Sequence, residues 1–95
     1  MKFSEASIGQ EVRLTKPYDD AKAGYEGIIH GFPTGRHAIV IFSRDRYRND
    51  AEFMYSLSSD PFEPGVPPIP EGMGSYWIPL TSLEPAYIDT LDNWI

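Results

Sequence analysis

One run of residues sets the terms for the whole fold. Arg36-His37-Ala38-Ile39-Val40-Ile41-Phe42 is dense in β-branched and aromatic side chains, which are stiff at χ1 and pack well on a pleated surface. Successive side chains of a strand point to opposite faces, and here both alternating sets are apolar, so the strand must be covered on both sides. That is the position of a strand central to a small barrel.

Weaker strand signals surround it. In Ile8-Gly9-Gln10-Glu11-Val12-Arg13-Leu14 the apolar Ile8, Val12 and Leu14 are separated by polar residues, and Gly9 permits a turn before the run, which predicts a first strand. Lys16 to Gly24, with Pro17 and the Asp19-Asp20 pair, predicts a loop of about eight residues. Gly24-Tyr25-Glu26-Gly27-Ile28-Ile29-His30 predicts a second strand whose glycines allow a bulge or a close backbone approach. Phe32-Pro33-Thr34-Gly35 punctuates the chain before the central run. Tyr76-Trp77-Ile78-Pro79-Leu80 predicts a short strand, with Pro79 at an edge or a strand end, and Leu83-Glu84-Pro85-Ala86 closes the pattern.

Between Ser43 and Ser75 the alternation breaks. Five of the nine prolines fall within Pro61 to Pro70, together with Gly65, Gly72 and Gly74, and this composition predicts neither a helix nor a central strand. The segment also carries Tyr47, Phe53, Met54, Tyr55, Leu57, Phe62, Val66, Ile69 and Met73, side chains that gain by burial. Those residues predict an ordered, functional insertion rather than a linker. From Ala86 to Ile95, Tyr87, Ile88, Leu91, Trp94 and Ile95 recur at helical spacing behind Pro85, which predicts a short C-terminal helix. Such a helix is marginal alone and must dock on its own barrel, on a second copy or on a partner.

Ninety-five residues suit a single domain over 1–95, and with no cysteine its stability must come from packing or assembly. No segment reads as a signal peptide or approaches the roughly 20 apolar residues that span a bilayer, so a cytoplasmic location without membrane contact is expected. The net charge of −6 argues against general nucleic-acid binding. All eight Lys and Arg lie between Lys2 and Arg48, whereas the chain from Asp50 onward is acidic with no basic residue. An acidic solvated face and an acidic partner-facing surface both follow from that asymmetry.

The glycine spacing and apolar runs of Gly9–Leu14, Gly24–Ile29, Ala38–Phe42 and Ile78–Leu80 before Leu83-Glu84-Pro85 resemble those of small SH3-like barrels, including KOW-type domains and short bacterial or phage relatives. The resemblance covers roughly residues 8–42 and 76–85 and implies a mainly β fold of about five strands. The chain departs from it in the long 43–75 insertion and in lacking the basic surface of nucleic-acid-binding KOW domains.

No Gly-x-Ser-x-Gly, His-Glu-x-x-His or Gly-rich phosphate loop is present, and the sequence predicts a non-enzyme without a cofactor. If Phe32–Gly35 forms a four-residue hairpin loop, His30 falls opposite His37. Such a pair has the chemistry to hold a metal, although a solvated surface pair is commoner there and no metal is expected. If the strand from Arg36 runs on past Phe42, Arg44, Arg46 and Arg48 share one face and Tyr47 turns toward the core. Those guanidiniums either pair with the chain's own carboxylates or take an external anion such as a nucleotide phosphate or an acidic protein surface. Of Tyr76 and Trp77, one faces the core and the other is available for stacking.

The preferred reading is a binding module, an adaptor or a small acidic inhibitor, that contacts a partner protein through the 43–75 insertion. The alternative is an oligomer that sequesters a small anionic ligand such as a nucleotide, a mode of action open to small proteins of viral origin. Its candidate contacts are Arg44, Arg46 and Arg48 with Tyr47, Tyr55, Phe62 or Trp77. The apolar content also exceeds what one modest barrel covers, so self-association, most simply as a dimer, is expected. Light scattering at high micromolar concentration tests this, and a mass of one chain would count against it.

Overall fold

The computed structural model describes residues 1–59 and 66–86. It is mainly β: five antiparallel strands form one sheet in the order β4-β3-β2-β1-β5, with little helix. The strands are β1 (Glu11–Leu14), β2 (Glu26–Gly31), β3 (His37–Ser43), β4 (Met73–Pro79) and β5 (Leu83–Pro85). A six-residue helix, α1 (Ala51–Ser56), lies between β3 and β4, and single 3₁₀ turns occupy Phe3–Glu5 and Leu80–Ser82. The ladder is open, with β4 and β5 at its two edges.

β3 is covered on both faces, as its composition requires. Ala38, Val40 and Phe42 join Val12, Leu14, Ile29, Ile78, Leu80 and Leu83 in the main core, which Ala21 of the β1–β2 loop, Phe53 of α1 and Leu57 just after it complete. Ile39 and Ile41 on the other face are also buried. On that side Val66 lies beside Gly31 and Ile39, so a Cβ at Gly31 would come within 3.3 Å of Val66. The neighbouring Pro67 carbonyl accepts a hydrogen bond from His30 Nε2 at 2.9 Å.

Several expectations are corrected. β1 begins at Glu11, and Ile8 sits in the preceding turn, 65% exposed. The 43–75 stretch does contain a helix and the start of β4, because the prolines cluster at 61–70 and leave residues 50–57 free of them. Asp50 caps that helix, its carboxylate accepting from the Phe53 amide at 3.2 Å. Pro85 lies in β5 opposite Val12 rather than in a helical turn. The helix expected over 86–95 falls outside the described residues, apart from Ala86, which is buried after β5.

The His30–His37 pair does not form. The β2–β3 ladder runs Ile28↔Ile41, Ile29↔Val40 and then Gly31↔Ile39, so His30 is the extra residue of a bulge. His37 pairs instead with Pro79 on β4, and its Nδ1 lies 3.0 Å from Thr34 Oγ1.

Gly27 is the tightest point of the sheet. A Cβ there would lie 2.6 Å from both the Ile41 carbonyl oxygen and Val40 Cγ1, and backbone cannot give way as a flexible side chain would. Gly27→Ala should therefore destabilise the fold by about 1–3 kcal/mol or more, the range for overpacking. Urea unfolding with an unchanged m-value measures it.

Candidate functional site: a tyrosine-lined cleft

β3 ends where Ser43 caps a turn. Its hydroxyl accepts from the Arg46 amide at 3.2 Å, and the Arg44 amide bonds the Gly72 carbonyl at 3.0 Å. The alternation that would have aligned Arg44, Arg46 and Arg48 therefore stops before it reaches them, and each goes to a different partner.

Arg44 is a structural clamp. Its guanidinium donates to the carbonyls of Met54, Leu57 and Met73 at 3.2–3.3 Å and to Ser59 Oγ at 2.9 Å. Two of those carbonyls belong to the C-terminal turn of α1, where peptide oxygens lack intrahelical partners and a cation is favourable. Room for the guanidinium exists because residue 74 is glycine: a Cβ there would sit 2.9 Å from Nη2. Arg46 bonds Glu26 at 2.7 Å and lies 5.3 Å from the centre of the Tyr47 ring, in cation–π range. Arg48 reaches only Asp45, three residues back and exposed. Among the described residues, neither carboxylate in this set, Glu26 or Asp45, belongs to the acidic half of the chain from which pairing was expected.

Tyr47 does turn inward. Its hydroxyl accepts from the Glu26 amide at 2.8 Å, and its ring packs 4.3 Å from Tyr25 and 5.7 Å from Phe53. Fully buried Phe53 also meets Tyr25, Phe42 and Tyr76 at 4.9, 5.0 and 6.1 Å, so α1 is anchored by one ring in an aromatic cluster.

Asp50 organises the polar side of this cluster. One carboxylate oxygen caps α1, and the other accepts from the Tyr25 hydroxyl and faces Lys22 Nζ at 3.3 Å. The Tyr25 hydrogen bond, the capped amide and Lys22 together hold Asp50 below the usual carboxylate range. Tyr25 shifts the opposite way: burial first, then the Asp50 carboxylate, push its phenol up to about 12. Ser56 at the far end of α1 donates to Asp20, tying the helix to the β1–β2 loop a second time.

Between that loop and α1 lies a cleft of about 510 Å³, lined by Lys22, Tyr25, Tyr47, Asn49, Asp50, Ala51 and Glu52. Tyr55 stands one turn beyond Ala51 and Glu52 and is 93% exposed. Trp77 is separate. It faces outward from β4 beside Ile39, while its neighbour Tyr76 turns toward the core. Phe62 lies outside the described residues. Sequence reasoning had not singled out Lys22, Tyr25, Asp50 or Glu52. Asn49-Asp50 ahead of Ala51-Glu52 carries an N-cap signal that the nearby prolines overshadowed. Nothing in the sequence pairs Tyr25 with Asp50.

No protein-family model, curated protein or solved structure matches this chain.

The coupled pair gives a pH signature. A phenol whose folded pKa exceeds its unfolded value of about 10 costs stability as pH rises from 10 to 12. The Asp50 contribution is present above the unfolded carboxylate pKa and is lost as pH falls through the lowered one. Absorbance titration of phenolate should show a tyrosine ionising near 12. Asp50→Asn, which keeps a good cap but removes the charge, should move that titration down toward 10.

Proposed function

We propose that this chain is a small non-catalytic binding module of the SH3-like kind, contacting a partner protein through the surface that the 43–75 segment and the β1–β2 loop build together. The strand order supports the fold reading. Strands β1 to β4 pair in succession, β5 returns to β1, and a 3₁₀ turn joins β4 to β5, an arrangement in keeping with a small barrel.

One observation carries the functional reading: Tyr55 is almost wholly exposed on a helix held at both ends. Phe53, Asp50 and Arg44 fix α1, so Tyr55 is presented from a rigid platform. A large aromatic with two rotatable bonds loses little entropy when buried by a partner, and tyrosines of this kind are frequent anchors of interfaces. Beside it the cleft offers the rings of Tyr25 and Tyr47 with polar groups at its rim.

The charge pattern selects the partner. Each cation of this face is matched locally, Lys22 by Asp50, Arg46 by Glu26 and Arg48 by Asp45. Among the described residues Asp19 and Glu52 have no cationic ion-pair partner, so the uncompensated charge is negative and suits a basic protein surface. An anion at Arg44, Arg46 and Arg48 would have to displace the hydrogen bonds that hold α1 and the Glu26 pair. The ligand alternative therefore finds no support at those residues.

Tyr55→Ala should lower affinity for a captured basic partner by about 10- to 100-fold with the melting temperature unchanged, since the side chain is solvated in the free chain. Added salt should weaken the wild-type complex. Calorimetry showing equal affinity for the variant and no salt dependence would reject this surface.

A further inference from the structure

The distribution of unpaired cations points to a second site. Arg13, Lys22, Arg46 and Arg48 each hold a carboxylate, and Arg44 is spent on carbonyls. Among the described residues that leaves Lys2, Lys16 and Arg36 without an ion-pair partner, and two of these three line one groove. In a chain of net charge −6, that concentration of uncompensated positive charge stands out.

The groove, about 530 Å³, lies between the Phe3–Glu5 turn, the β2–β3 turn and the end of β4, lined by Lys2, Phe3, Arg36, His37, Pro79 and Leu80 with their neighbours. No carboxylate lines it. Phe3 is 51% exposed yet fixed, because it meets Phe32 edge to face with ring centres 5.0 Å apart. Trp77, 39% exposed, lies on the same face of β4 as Pro79.

The tautomer of His37 follows from the turn. Thr34 Oγ1 accepts from the amides of Arg36 and His37 at 3.0 and 3.1 Å, so its own hydrogen is left to donate to His37 Nδ1. A neutral His37 then carries its proton on Nε2, where it is a hydrogen-bond donor with no partner among the described residues.

We propose that this groove binds a nucleoside monophosphate, with the phosphate held by Lys2, Arg36 and His37 Nε2 and the base against the exposed face of Phe3. Two cations beside a ring N–H suit the roughly doubly negative charge and three terminal oxygens of a phosphate monoester better than a singly charged carboxylate. The apolar lining is short and partly aromatic, which suits a flat ring rather than an extended acyl chain. The volume falls in the range of small-ligand sites. This groove and the tyrosine cleft lie beyond opposite ends of β3, so the two readings stand or fall independently.

The test is titration of the full chain with AMP, followed by amide chemical shifts and calorimetry, with adenosine, inorganic phosphate and decanoate as separate arms. AMP should saturate, with shifts centred on Phe3, Arg36 and His37, and adenosine or phosphate alone should bind at least about tenfold more weakly. Arg36→Ala and Phe3→Ala, both at exposed positions, should each weaken AMP by about tenfold or more. Lys16→Ala, which removes an unpaired cation outside the groove, and Tyr55→Ala should leave it unchanged. Three results would overturn the proposal: no saturable AMP binding up to about 1 mM, decanoate binding as tightly as AMP, or Lys16→Ala weakening AMP as much as Arg36→Ala.

Discussion

The burial of Phe53 is the contact on which the rest of this molecule depends. Its helix has only six residues, too few to form alone in water, so α1 exists because one ring enters the core among Tyr25, Phe42, Tyr47 and Tyr76. That single insertion brings the long β3–β4 connection back onto the sheet. It also builds one wall of the tyrosine cleft and sets Tyr55 on the outside.

Polar groups then fix what the ring has placed. Asp50 satisfies an orphan amide at the helix start, Arg44 satisfies orphan carbonyls at its end, and Ser56 reaches Asp20 of the β1–β2 loop. These charged groups act on short-range partners in partly buried settings, where a hydrogen bond to a charge is worth more than an exposed ion pair. The exposed pair Arg48–Asp45 contributes little by the same argument. Structural use of Arg44 also removes it from any role as a ligand contact, and the fold thereby moves free positive charge to the other end of β3, around Lys2 and Arg36.

The central strand separates two chemically different ends. Beyond Ser43 the surface is tyrosine-rich with matched cations and excess carboxylate. Beyond His37 it is apolar and aromatic with unmatched cations. Between them β3 is rigidly covered on both faces, and Gly27 lets the neighbouring strand approach Val40 and Ile41 more closely than any side chain would permit. Each end takes its chemistry from the groups gathered there.

The strands were legible in the sequence because their signal is local. A period-two pattern, a β-branched run apolar on both faces and a proline at a strand end identified β2, β3, the end of β4 and β5 from neighbouring residues alone. The inward turn of Tyr47 and the division of labour between Tyr76 and Trp77 were also anticipated. What the sequence could not decide were matters of register and of partners distant along the chain. The β2–β3 register places Ile29 opposite Val40 and Gly31 opposite Ile39, with His30 bulged between them, and a His30–His37 pair does not fit that register. The Ser43 turn ended the alternation that would have aligned three arginines. The short helix was hidden by prolines that lie beyond it, and Tyr25–Asp50, Arg44–Leu57 and Ser56–Asp20 join residues 13 to 36 positions apart. Local pattern determined which segments become strands. Only the closing of the chain on itself decided which charges are spent and which remain free.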